Sequence, residues 1–324
     1  MTKPKVFIAK RIPKEVEDYI AEFCDYEIWE HDKTIPRELL REKLYDKEGI
    51  LLSGIAVDED LLAHAPKLKA VSNISVGYNN FNISAMKSRN IIGTNTPGVL
   101  DDTVADLVFS LVLSTARRIA ELDQYVKSGR WKVEDDEKLF GMDVHHSSIG
   151  IIGMGRVGEA IAKRARFGFD MEVFYYNRKR KYEVEENLGV RYCDFESLLK
   201  NCDFIVLMVP LTTETYHLID YKEFGLMKEN AVFINASRGQ TVNEQALIEA
   251  LQNKKIFGAG LDVYETEPIH TENPLLKMAN VVTVPHIGSA TEKTRTDMAS
   301  LAAMNLVKAL YGKTPPNIVP ELRD

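Results

Sequence analysis

Cysteine is scarce in this chain of 324 residues: Cys24, Cys193 and Cys202 are the only three, an odd number with no CxxC spacing. That count argues against a disulfide framework and a thiolate zinc site, and it fits a reducing cytoplasm. Long hydrophobic runs are missing too. FIVLMVPL, from Phe204, has the length of a buried strand, and the four apolar residues before Lys10 are too few for a secretory signal. Positive charge is not in excess. The 41 Lys and Arg residues stand against 48 Asp and Glu, a net charge of -7, which disfavours nonspecific attraction to nucleic acid or an anionic membrane. Short-period repeats and low-complexity segments are also lacking. What is present is an ordinary soluble composition, 45% hydrophobic and 27% charged. Single cores stop growing at roughly 250 to 300 residues, so two domains are expected.

From Lys5, the short apolar runs KVFIA, GILLS and LKAVSN alternate with helical patterns near Lys14 to Phe23 and Asp58 to Ala63. Buried strands separated by helices predict a parallel sheet with right-handed crossovers. Asp101 then caps one long helix, DDTVADLVFSLVLSTARRIAELDQYVKSG, ended by Gly129. Its apolar positions exceed one narrow stripe, so it is expected to lie between domains or against a partner subunit. A second series starts at Ser148 and continues through MEVFYY, DFIVLMV, NAVFINAS, IFGAGLDV and NVVTVPH to His286, followed by a helix from about Ala290 to Tyr311. The expected fold is α/β, with two Rossmann-like (flavodoxin-like) doubly wound parallel-sheet domains. A nucleotide domain, 101–287, interrupts a substrate domain made of 1–100 and 288–324.

GMGRVG places Gly153, Met154, Gly155, Arg156, Val157 and Gly158 directly after a strand and at the start of a helix. Gly153 permits the tight turn, Gly155 lets a pyrophosphate approach backbone amides, and Gly158 allows close helix packing. Such a site normally ends its second strand in an acid that holds the adenosine ribose. Here, nineteen residues after Gly158, stand Asn177, Arg178, Lys179 and Arg180. An acid would repel a 2'-phosphate, whereas these cations attract one, so NADP(H) is the expected cofactor with NAD(H) as the lesser possibility. Arg178 leads, with Lys179 or Arg180 in support; the competing reading is a solvated basic loop.

Three further loops follow predicted strands and carry Arg238 in INASRGQTVN, Glu267 in LDVYETEP and His286 in VTVPHIGSAT. Each alone reads as a surface charge or a satisfied loop histidine. Together, beside a nicotinamide, they supply carbonyl reduction: Arg238 holds a carboxylate and polarises the ketone, His286 donates a proton, and Glu267 stabilises the imidazolium. No metal is expected. His145 and His146 are adjacent in a loop, adjacent side chains rarely point the same way, and no third ligand is evident.

The motifs SNISVGYNN, TPGVLDDTVAD, GIIGMGRVG, VPLTTETYHLI, NASRGQTVNEQAL, GAGLDVYETEP and PHIGSAT span essentially the whole chain. In this order they resemble the D-isomer-specific 2-hydroxyacid dehydrogenases, most of all the glyoxylate/hydroxypyruvate reductase and 2-ketogluconate reductase branch. The resemblance implies NADPH-dependent reduction of glyoxylate, hydroxypyruvate or 2-ketogluconate to the D-2-hydroxy acid, catalysed by Arg238, Glu267 and His286. It implies carboxylate-binding amides at Val76 and Gly77, with Arg238 and His286 also on the substrate. It places Thr103 and Asp262 near the nicotinamide, and Val209, Pro210, Thr215, Ala236 and Gly288 along the cofactor. It further implies a homodimer formed partly by the helix from Asp101, with Trp131 either walling a neighbouring subunit's substrate site or packing in its own chain. Asn79, where relatives often have aspartate, and HHSS before the Rossmann strand depart from the family pattern. The competing expectations are a D-3-phosphoglycerate-dehydrogenase-like enzyme and a nucleotide-sensing corepressor; turnover separates the latter.

Overall fold

The computed structural model describes residues 2–323. The chain forms two units, Met1–Leu100 with Ala290–Asp324, and Asp101–Ser289. In the first, strands β1 (Lys5–Ile8), β2 (Asp25–Ile28), β3 (Gly49–Leu52), β4 (Ala70–Asn73) and β5 (Ile92–Thr94) form a parallel sheet of order β2-β1-β3-β4-β5, the flavodoxin order. Helices α1 (Lys14–Phe23), α2 (Arg37–Leu44), α3 (Glu59–Ala63) and α4 (Ile83–Ser88) make the crossovers. Asp58 and Asn82 cap α3 and α4 by accepting from the Leu61 and Ala85 amides. β3 and β4 are buried along their whole length, β3 as a continuous apolar run and β4 with the polar Ser72 and Asn73 at its end. β2, DYEI, alternates exposed and half-buried positions at the sheet edge, and so carries no apolar run by which a sequence reading would find it.

In the second unit, β6 (Ser148–Ile152), β7 (Glu172–Tyr176), β8 (Arg191–Tyr192), β9 (Phe204–Leu207), β10 (Val232–Asn235), β11 (Gly258–Leu261) and β12 (Val281–Thr283) form a seven-stranded parallel sheet. Its order, β12-β11-β10-β9-β6-β7-β8, is that of the doubly wound dinucleotide fold and not the flavodoxin order. The remaining helices of this unit are α5 (Asp101–Ala116), α6 (Ile119–Lys127), α7 (Arg156–Gly168), α8 (Tyr182–Leu188), α9 (Phe195–Asn201), α10 (Tyr221–Leu226) and α11 (Glu244–Gln252). The last helix of the chain, α12 (Glu292–Leu310), belongs to the first unit and packs on β3, β4 and α1. Buried polar ties fix it there: Ser72 Oγ donates to the Ala302 carbonyl at 2.8 Å and Asn305 Nδ2 to that of Asn95 at 3.1 Å. No helix among the described residues is long and apolar enough to cross a membrane.

The long helix expected from Asp101 to Gly129 is two helices. Arg118 adopts φ 56°, and α6 starts afresh after it. The cause lies downstream. The Met142 amide donates to the Ala116 carbonyl at 2.8 Å, taking the acceptor a continuing helix would use, and a Cβ on Gly141 would overlap that same oxygen. The Arg118 guanidinium seals the corner, bonding Glu121 and the carbonyls of Lys138 and Phe140. The two pieces differ in burial. α5 buries eight residues against α7 and β10 to β12, whereas α6 buries none.

Candidate active site

Register decides what meets at the sheet's edge. Ile152 pairs with Tyr176 and Leu207, Leu207 with Asn235, Asn235 with Leu261, and Leu261 with Thr283. Six strands thus end on one row, and the segments carrying Gly153, Val209, Arg238, Asp262 and His286 leave from five of them.

At that row Gly153 has φ 105°, and a Cβ on it would lie 2.5 Å from the Met208 carbonyl oxygen. A Cβ on Gly158 would lie 2.5 Å from the carbonyl oxygen of Gly153. The fold itself requires both glycines. Gly155 is different: its φ is -89°, and a Cβ there would meet nothing within 4 Å. It is the N-cap of a 13-residue helix with no side-chain cap, and the Arg156 and Val157 amides have no acceptor among the described residues. An open, uncapped helix start of this kind fits the pyrophosphate of a dinucleotide. The Arg156 side chain turns aside to Asp101, 3.4 Å away.

Asn177 clamps this turn, accepting from the Met154 amide at 3.1 Å and donating to the Met154 carbonyl at 3.4 Å. Beyond it the basic run divides. Arg180 is held by Glu185 through two bonds of 2.8 and 2.7 Å and lies over the Tyr182 ring, while Lys181 reaches Glu159 at 2.6 Å. Glu185 also accepts from the buried Tyr175 hydroxyl, which receives the Lys181 amide. Arg180 is therefore a strut of the loop. Arg178 and Lys179 are exposed and make no hydrogen bond or ion pair among the described residues. Arg178 contributes to the field on Glu214, whose carboxyl is held below the ordinary range first by the Thr212 hydroxyl.

Asn235 Nδ2 and Thr241 Oγ1 both donate to the Arg238 carbonyl, at 3.1 and 2.6 Å, and fix this backbone as it leaves β10. The guanidinium donates to the Ser237 carbonyl at 2.6 Å. Burial pulls its pKa down, against the opposing charge of Glu267. The next residue, Gly239, touches the neighbouring loop so closely that a Cβ would overlap the Tyr264 carbonyl. Glu267 Oε1 accepts from the Tyr264 amide at 3.1 Å, and Oε2 lies 2.7 Å from His286 Nδ1. Burial raises the Glu267 carboxyl, but the hydrogen bond and charge of His286, the Tyr264 amide and Arg238 outweigh it and leave it below the ordinary value. His286 has φ 50°, with Nε2 unpartnered among the described residues. Asp262 secures that conformation, accepting from the Ile287 amide at 2.6 Å and the Gly288 amide at 2.9 Å, and the Tyr264 hydroxyl donates to the Val284 carbonyl at 3.0 Å. Burial raises the Asp262 carboxyl, and the two amides oppose the rise. Asp262 and Gly288, expected along the cofactor, are thus bonded to each other. Gly239 and Tyr264 were not singled out in the sequence, where nothing local signals a close approach between loops.

Of the other expected positions, Thr103 sits half-buried in the first turn of α5, and Val209 and Pro210 follow β9. Thr215 closes their turn, donating to the Pro210 carbonyl at 2.6 Å. Ala236 lies directly after β10, between Asn235 and the Ser237 whose amide and hydroxyl donate to Asn235 Oδ1. In the first unit, Asn95 and Asn73 side chains donate to the carbonyls of Val76 and Gly77, at 2.7 and 2.9 Å, and the two amides have no acceptor among the described residues. Contrary to expectation, His145 and His146 do converge, Nδ1 to Nδ1 at 2.9 Å, because His146 takes φ 62°. No group of three metal-ligating side chains occurs among the described residues. Trp131 is 63% exposed.

Residues 109–288 match the family model described as D-isomer specific 2-hydroxyacid dehydrogenase, NAD binding domain. The chain is 49% identical to a glyoxylate reductase of Thermococcus litoralis, over 98% of this chain and 97% of that one. It is 47% identical to a glyoxylate/hydroxypyruvate reductase B of Escherichia coli, over 99% of this chain and all of that one. Among solved structures, an NADPH-dependent glyoxylate/hydroxypyruvate reductase from Sinorhizobium meliloti, in complex with NADP and malonate, is similar with a TM-score of 0.86 and 31% identity. That similarity covers 99% of this chain and 98% of the other. With the glycine turn, the strand order and full-length relatives in agreement, the chain belongs to the D-isomer specific 2-hydroxyacid dehydrogenase family.

Proposed function

We propose that this protein reduces a small 2-keto acid to the D-2-hydroxy acid with NADPH, glyoxylate and hydroxypyruvate being the first substrates and 2-ketogluconate a further one. The carrying observation is the 2.7 Å pair of His286 Nδ1 with Glu267 Oε2, which leaves Nε2 available. A bound reduced nicotinamide supplies the hydride. His286 delivers a proton from Nε2 to the carbonyl oxygen, and Glu267 holds the ring and balances its charge. Arg238 draws the charge that grows on that oxygen and holds the substrate carboxylate. The open helix start at Gly155 takes the pyrophosphate, and Arg178 and Lys179 take the 2'-phosphate. The names of the similar reductases support the substrate class.

Initial rates with NADPH and NADH across glyoxylate, hydroxypyruvate, pyruvate and 2-ketogluconate test this reading. Preference for NADH would mean that the basic loop serves solvent, and no turnover with any substrate would favour a nucleotide sensor. Arg178→Asp is expected to raise KM for NADPH roughly 10- to 100-fold, the scale of hydrogen bonds to charged groups, and to change KM for NADH little. Equal losses for both cofactors would overturn the phosphate assignment.

We also propose a homodimer. Between 119 and 140, Ile119, Val126, Trp131, Val133 and Phe140 are each at least 52% exposed, more apolar surface than one segment ordinarily leaves to water. A second copy of this chain covers it, and light scattering should give twice the chain mass; a monomer mass contradicts the idea.

A further inference from the structure

A second histidine–carboxylate pair lies beside the first, and the reaction outlined above does not use it. His217 Nε2 is 2.5 Å from Glu265 Oε1, with the two side chains 27% and 33% exposed. His217 belongs to the segment between β9 and α10, the one that begins with Val209 and Pro210. Its backbone is held at φ 50°, and its amide donates to the Gln240 carbonyl at 2.9 Å. Ile219 continues this contact as a parallel bridge to Val242. The Tyr216 ring stacks on the imidazole with centroids 4.1 Å apart, which fixes the plane of the ring.

On the other side, Glu265 is two residues from Glu267, and Gln240 is two residues from Arg238. Gln240 Nε2 donates to the Glu265 carbonyl at 2.8 Å, and between them lies the contact of Gly239 with Tyr264. The Glu265 amide is tied in turn to Glu244 at 3.2 Å, at the start of α11. Three strand-end segments, after β9, β10 and β11, are therefore closed into one ring of contacts, and the His217–Glu265 bond is a direct side-chain link between the first and the third. A surface pair of this sort contributes little to global stability. Its position gives it another use, because a displacement of about 1 Å in a reacting group can lower a rate about 100-fold.

We propose that His217 and Glu265 form a positioning brace that sets the distance between Arg238 and the Glu267–His286 pair; this rests on the assignment of those three residues to the reaction. Neither brace residue touches the substrate or the proton in flight. They hold the segments of Arg238 and Glu267 in register, so that the cation and the proton donor act on one carbonyl group. Glutamine at 217 can place an amide nitrogen close to the position of imidazole Nε2 and donate to Glu265 without a titrating ring.

The test is steady-state kinetics of His217→Ala, His217→Gln and Glu265→Ala on the full chain, beside Arg238→Ala, with NADPH binding followed by fluorescence and folding by thermal melting. The brace predicts that His217→Ala and Glu265→Ala each lower kcat about 10- to 100-fold and raise KM for the keto acid, that the double variant loses no more than either single one, and that NADPH affinity and melting stay near those of the parent. His217→Gln should recover most of kcat. Near-parental kcat in His217→Ala, with Arg238→Ala inactive, would overturn the brace while leaving the reaction assignment standing. Near-parental turnover in Arg238→Ala would instead overturn that assignment. Additive losses, or a fall in melting temperature matching the fall in kcat that glutamine does not reverse, would reduce the pair to ordinary loop packing and also count against the brace.

Discussion

His286→Ala lowers kcat for keto-acid reduction about 10²- to 10⁴-fold, the usual worth of a positioned acid, with little change in NADPH affinity. The expectation rests on geometry. Nδ1 is committed to Glu267 at 2.7 Å, so Nε2 is the only ring nitrogen left to meet a carbonyl oxygen. The backbone at φ 50° and the Asp262 clasp aim the ring; both are backbone features that alanine can keep, while it removes the imidazole with its proton and its bond to Glu267. The companion substitution Glu267→Gln fixes the sign of the pH effect. Because the Glu267 carboxyl lies below its ordinary value, the stability it adds is complete above the unfolded value of about 4.3 and is lost only as pH falls through the lower, folded one. It is therefore ionised through the neutral range, where it favours the imidazolium. Glutamine removes that support, so the fall of reductive kcat/KM on the alkaline side should begin at lower pH. Full turnover in His286→Ala, or a profile unmoved by Glu267→Gln, would place the proton donor elsewhere.

Gly239→Ala should be nearly as damaging, although residue 239 carries no chemistry. A Cβ there would occupy the position of the Tyr264 carbonyl, and both partners are backbone, so neither yields by changing rotamer. Relief requires the Arg238 segment and the Tyr264–Glu267 segment to separate. The Arg238 carbonyl, bonded by Asn235 and Thr241, resists on one side, and the Tyr264 hydroxyl, bonded to Val284, resists on the other. The expected result is a loss of about 100-fold or more in kcat/KM together with about 1–3 kcal/mol of stability, read by steady-state kinetics and chemical denaturation. An alanine variant with parental kinetics would show that the loops can part without consequence.

Much of this architecture is legible because parallel strands buried on both faces must be written as apolar runs. FIVLMV and NAVFINAS announce themselves, and the glycine turn between SIGII and its helix gives the position of the dinucleotide end. The residues proposed for the reaction are visible as motifs at strand ends, and register explains why they share a row. What escapes is whatever depends on contact between distant segments. DYEI is a strand without an apolar run, because it pairs on one side only, at the sheet edge. The run of cations reads as uniform, but Glu185 and Glu159 remove two of its four members, and neither acid can be assigned to them from order alone. His217 sits in a recognised motif with no sign that Glu265 answers it.

The corner at Arg118 has a consequence for how this surface comes into being. Residues 101 to 127 contain no proline or glycine, and nothing local tells the helix to stop. The stop comes from Gly141 and Met142 as they settle on the Ala116 carbonyl. The direction of α6, and with it the exposed apolar face between 119 and 140, is therefore not written in the helix itself and is set by the fold around it. For the proposed homodimer this sets an order of events, since a chain that has not finished folding has no such face to present.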